Sequence, residues 1–152
     1  MKKIILILLI AGLCSKAYSQ TCEEREQKLL VVMGGFSAGY LYNTYGMIGS
    51  IADGFGHAVY ETETVADLIK AQEKLAENII TLLEKSVTEN VFASETDKNY
   101  INSSVTILKG LKKQMSLLIV YSNNKSKKNL DALEAQRNQN WKDLSKLMGV
   151  KE

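Results

Sequence analysis

The chain has no proline and only one histidine. Without proline, nothing interrupts a helical pattern from within. Apolar residues recur at helical spacing almost throughout, and no strand-like alternation persists. A single histidine, His57, excludes sites built from several imidazoles. The Glu-x-x-His pairs of di-iron bundles are absent, as is the Cys-x-x-Cys-His of attached haem. No phosphate loop, nucleotide fingerprint or Gly-x-Ser-x-Gly occurs. "GFSAG" at 35–39 resembles the last only faintly, because it lies in a helical pattern with no strand before it. The reading is therefore no enzyme, no metal and no cofactor.

Cysteine is also scarce. The start, "MKKIILILLIAGLCSKAYSQ", joins Lys2 and Lys3 to the apolar run Ile4 to Leu13. Ala17-Tyr18-Ser19 follows, a small-x-small pattern. This is a secretory signal, too short to span a bilayer. Residues 1–19 are read as a cleaved signal peptide and 20–152 as one domain, exported to the periplasm or beyond from a bacterium. Cys14 follows Leu13 and Cys22 follows Thr21, so neither has the small residue that lipidation requires. Cleavage leaves Cys22 alone, either as a free thiol on a frayed end or in a disulfide between two chains. It also removes Lys2, Lys3 and Lys16, leaving 16 basic residues against 17 acidic. The basicity belongs to the signal. No basic stripe remains beyond "KSKK" at 125–128, so nucleic acid is not an expected partner.

The periodicity predicts four helices. The first runs from about Glu23 to Tyr60, either kinked near Gly34-Gly35 or projecting at its start. The second carries a broad apolar stripe from Val65 to Val87, including Leu68, Leu75, Ile79 and Leu82. Thr64 with Asp67 reads as its capping box. The third begins near Ser94, with Asp97 in the same relation, and repeats Ile101, Val105, Leu108, Leu111, Met115 and Leu118. The fourth carries Leu130, Leu133, Trp141, Leu144 and Met148, and Gly149 stops it. Short turns between four helices predict an all-α, antiparallel up-down-up-down bundle.

Helix 1 is unusual. Its 24 residues from Leu29 to Ala52 carry no charge, and seven of the ten glycines fall between 34 and 56. Gly35, Gly39, Tyr42, Gly46, Gly49, Asp53 and Gly56 step by alternating fours and threes, a stripe almost without side chains. Leu41, Tyr45, Ile48, Ala52, Phe55 and Val59 form a bulky second stripe. A glycine in a helix interior costs about 1 kcal/mol relative to alanine. The stripe therefore needs a use: close packing of a neighbouring helix, insertion in a membrane, or a face for a ligand or partner. Tyrosine beside glycine suits the last, joining an apolar body to a polar tip. The candidate face comprises Gly39, Tyr42, Tyr45, Gly46, Gly49, Asp53 and His57. It would serve a partner protein or a homo-oligomer. The alternative is a small-ligand or lipid pocket near Tyr42, Tyr45 and Asp53.

Asp53, His57 and Glu61 are spaced by four and share one helix face. In the bundle, Asp53 falls level with Gln72 and Arg137, the polar residues on otherwise apolar faces. A buried cluster of Asp53, Gln72 and Arg137 is expected, with His57 one turn outward as an exposed helix-end residue. Buried charges of this kind must be paired.

"YNTYGMIGSIADGF", Tyr42 to Phe55, resembles a group of small secreted bacterial proteins of unknown function. In these an Asn-Thr-aromatic leads into a Gly- and Ala-containing helix that ends in an acidic residue. The likeness covers about residues 40–85. It implies a helical fold and brings no activity and no functional residues.

Overall fold

The computed structural model describes residues 21–150. The predicted signal peptide and its cleavage point lie outside the described residues. Among the described residues there are four helices and no strand: α1 (Cys22–Gly56), α2 (Thr62–Thr88), α3 (Glu95–Asn123) and α4 (Lys127–Met148). The chain divides between Gly35 and Phe36 into two units. In the first unit, Thr21 and Glu24 cap the start of α1 reciprocally, each backbone N–H bonding to the other's side chain. Leu29, Val31, Val32 and Met33 of this unit are exposed.

In the second unit the four helices share one apolar core. Leu41, Ile48 and Phe55 come from α1, Val65, Ile69 and Ile80 from α2, Leu108, Leu111 and Leu118 from α3, and Leu133 and Leu144 from α4. Each set repeats at steps of three, four, seven or eleven residues, which are whole turns to within a fraction, so each helix turns one face inward. The helix ends follow local chemistry. Ser94 caps α3 by accepting hydrogen bonds from the N–H groups of Thr96 and Asp97. Ser126 caps α4 through the N–H of Asn129. Gly149 ends α4 in the left-handed conformation, φ 67°, which glycine adopts without a Cβ penalty.

Two local expectations fail. The capping box at Thr64 and Asp67 does not form, because α2 already starts at Thr62. Thr62 instead donates its hydroxyl to the Ser122 carbonyl at the end of α3, 3.0 Å away. Helix 1 ends at Gly56 rather than Tyr60. Ala58 takes a left-handed φ of 59°, and the Gly54 carbonyl accepts from both Val59 and Tyr60 N–H.

Side chains join neighbouring helices. Between α2 and α3, Glu73 accepts from Ser116, Glu77 pairs with Lys112, and Glu84 pairs with Lys109 at 2.6 Å. These pairs are largely exposed and weak. Between α3 and α4 the link is buried. The Asn140 amide donates to the Gly110 carbonyl (3.1 Å) and to Gln114 Oε1 (2.7 Å), while its own oxygen accepts from Gln136 (2.8 Å). Gln114 and Asn140 are each 1% exposed. A Cβ on Gly110 would overlap the Asn140 oxygen.

Gly110→Ala should therefore lower unfolding free energy by about 1–3 kcal/mol, because it forces a buried amide off its partners. Gly46→Ala, with open space beyond the backbone, should raise it by about 0.5–1 kcal/mol. Urea titration of the two variants beside wild type checks the contrast. Ala58→Gly should be stabilising by about 1 kcal/mol, since it relieves the left-handed strain of an alanine. An unchanged or lower midpoint for Ala58→Gly would contradict that account of the helix end.

Candidate functional site

The glycine stripe is open. An ideal Cβ at Gly35, Gly39, Gly46 or Gly56 would meet nothing within 4 Å. Gly49 alone has a neighbour, the guanidinium of Arg137 at 3.8 Å, an ordinary contact. Among the described residues α4 reaches the stripe only around Gly49, which is buried, and Tyr42, and no helix packs closely along its length, so the close-packing reading holds at Gly49 alone. The physical reason lies in the second stripe. Leu41, Ile48 and Phe55 supply the bulk that a core requires, and they rotate the glycines toward solvent. No helix among the described residues is long and apolar enough to cross a membrane.

Beside the open glycines sits an aromatic cluster. Trp141 of α4 lies 5.6 Å from the Tyr45 ring and 6.5 Å from the Tyr42 ring, centroid to centroid, both tilted. Such offset aromatic pairs favour each other beyond simple burial. Tyr42 leaves half of its surface in water, while Tyr45 and Trp141 are half-buried. One turn before Trp141, Arg137 joins the same face. The neighbouring Tyr45 hydroxyl is the main reason its guanidinium is held more strongly protonated than usual. Partial burial opposes this, and the charges of Glu134 and Asp53 add to it. Glu134 approaches to 3.6 Å on the same helix. Arg137 thus stays charged throughout the physiological range, and its contribution to stability does not vary there.

The buried cluster of Asp53, Gln72 and Arg137 is not formed. Asp53 is exposed and acts on Arg137 only at a distance. Gln72 lines a separate groove with Met47, Ser50, Ile51 and Tyr60. Arg137 is half-buried and finds Tyr45 and Glu134 closer to hand, so it needs neither partner. His57 is exposed, its N–H closing the last turn onto the Asp53 carbonyl at 2.9 Å. Among the described residues no three His, Cys, Asp or Glu side chains come together as a metal site would require. Cys22 is exposed and free.

Trp141 belongs to this face although the sequence placed it only on the apolar side of α4. The signal was there: a lone tryptophan seven residues before Met148, level with an uncharged, tyrosine-bearing helix. The buried amides of Gln114 and Asn140 were also missed. Each interrupts an apolar stripe, as Gln72 and Arg137 do.

In comparisons with known proteins, no family model, no curated protein and no solved structure matches this chain.

Trp141 is the only tryptophan, so its fluorescence reports on this face. Tyr45→Ala should red-shift its emission and increase quenching by acrylamide, through loss of the ring that shields it. Tyr42→Ala should do so less. Equal, negligible effects would mean that Trp141 is shielded by other groups.

Proposed function

We propose that this chain is an exported, non-enzymatic binding or structural protein that engages a partner protein through the open face of α1. One observation carries the reading: Tyr42, Tyr45, Trp141 and Arg137 cluster beside Gly39 and Gly46, which are exposed with open space beyond them. Tyrosine, tryptophan and arginine are the residues that supply most of the energy in protein interfaces. Open glycines let a partner backbone approach closely. The half-exposed Tyr42 suits an extended partner surface better than an enclosed small ligand.

The bundle is taken as antiparallel, up-down-up-down. Supporting this, the α2–α3 pairs run in opposite directions: Glu73 meets Ser116, Glu77 meets Lys112 and Glu84 meets Lys109. The loops at 57–61, 89–94 and 124–126 are short. Export rests on the charged, apolar and small-x-small succession of residues 2–19.

The test is native mass spectrometry of the chain produced from its full sequence and recovered from the periplasm. We expect a mature mass beginning at Gln20 and a retained partner. Gly46→Arg fills the open face without touching the core and should release that partner while leaving helicity unchanged. A partner that survives Gly46→Arg, or a chain with none, would overturn the assignment of this face.

A further inference from the structure

The second helix carries more apolar surface than its own bundle covers. Leu68, Leu75 and Leu82 are 41%, 44% and 62% exposed, whereas Val65, Ile69 and Ala76 on the same helix are fully buried. Steps of seven keep the three leucines within roughly 40° of one another around the helix. They form one straight stripe, with Ala71 and Asn78 between them. The core-facing residues lie about a quarter-turn away. The stripe continues onto a groove of about 440 Å³, whose walls include Met47, Ile51, Tyr60, Leu68 and Ala71. Leucines at steps of seven along one line of a helix match one of the two apolar rows that a helix pair buries.

The charges along the edge of the stripe identify that member. Asp67 and Lys85 are 18 residues apart, five full turns, so they stand on the same edge near its two ends. Both are largely in water, with side-chain exposures of 71% and 68%. Their partners within the chain are loose: Lys70 at 3.8 Å from Asp67, and Glu89 at 3.7 Å from Lys85. A two-fold axis passing close to Leu75 sets α2 against a second α2 running the other way. That operation puts Leu75 on Leu75 of the second copy, and Leu68 on Leu82. It also brings Asp67 to within two residues, about 3 Å along the axis, of Lys85 of the second copy, within reach of the lysine side chain, and by symmetry Lys85 to Asp67. Leu82 of each copy meets the mouth of the other's groove. One surface thus carries both halves of its own complement, as a closed two-fold interface requires.

We propose that the protein forms a two-fold dimer through the Leu68–Leu75–Leu82 stripe of α2, aligned by Asp67 and Lys85. The stripe shares no residue with the partner face of α1, so either assignment can fail while the other holds.

Sedimentation equilibrium of the mature chain in reducing buffer tests it, since reduction removes any link through Cys22. The wild type should be dimeric. Leu82→Lys, at the most exposed of the three leucines, should be monomeric with unchanged helicity. Asp67→Lys sets like charges against each other twice and should weaken the dimer about tenfold. Adding Lys85→Asp in the same chain restores both pairs with reversed sign and should recover most of the loss. A wild type monomeric at all concentrations overturns the proposal and leaves the stripe to a different protein. So does a dimer that survives Leu82→Lys, or one for which Lys85→Asp fails to rescue Asp67→Lys.

Discussion

The amide of Asn140 is the constraint from which the packing of α3 and α4 follows. A buried primary amide has to place its donors and its acceptor or lose more than an apolar side chain would. Here both donors and the oxygen are used, on Gly110, Gln114 and Gln136. That is satisfied at one register of α4 against α3 and at no other. It also requires the two helices to approach closely at Gly110, where any Cβ would collide with the amide oxygen. With that pair fixed, Leu111, Met115 and Leu118 meet Leu133 and Leu144 in one core. The exposed carboxylate–lysine contacts of α2 then add alignment rather than much energy.

The fold was largely legible because the core obeys a simple rule. A stripe of Leu, Ile and Val at steps of three and four tends to be buried, and Leu108, Leu111, Met115 and Leu118 are, whereas Leu68, Leu75 and Leu82 at the margin of the broader α2 stripe stay exposed. Caps were legible where a single side chain decides them, as at Ser94 and Gly149. They were not legible at Thr64, where a contact from Thr62 to the end of α3 moved the boundary. The polar residues were harder still. Periodicity marks Gln72, Arg137, Gln114 and Asn140 alike as exceptions on apolar faces. Which of them is buried depends on partners supplied by other helices. Asn140 finds two on α3 and goes in. Arg137 has Tyr45 and Glu134 beside it and stays half out. Sequence spacing carries no such information.

The glycines of α1 show the same limit from the other side. Their spacing was plain, and close packing by a neighbouring helix is the common use of such a stripe. Deciding against it required knowing which of two adjacent stripes wins the core. The stripe with Leu41, Ile48 and Phe55 wins because it removes far more apolar area from water. Gly39, Gly46 and Gly56 are then left outside, where each weakens the helix by about 1 kcal/mol and no packing among the described residues offsets it. Alanine at the open positions would fold better. The face proposed for a partner is thus one whose open glycines cost the helix stability.

The two surfaces left bare differ in kind, and the difference bears on what each can recognise. The α1 face is backbone and aromatic rings, with one guanidinium braced by Tyr45. Rings and exposed backbone offer shape and hydrogen bonding without a fixed charge pattern, so they can select a partner whose surface differs from their own. The α2 edge has no ring on its leucine stripe. It has a regular apolar repeat and opposite charges at opposite ends, five turns apart. A repeat of that kind is complementary to itself reversed. Recognition of another protein and recognition of a second copy thus call on different residue types. In this chain those residue types are sorted onto different helices, so the two proposed surfaces share no residue.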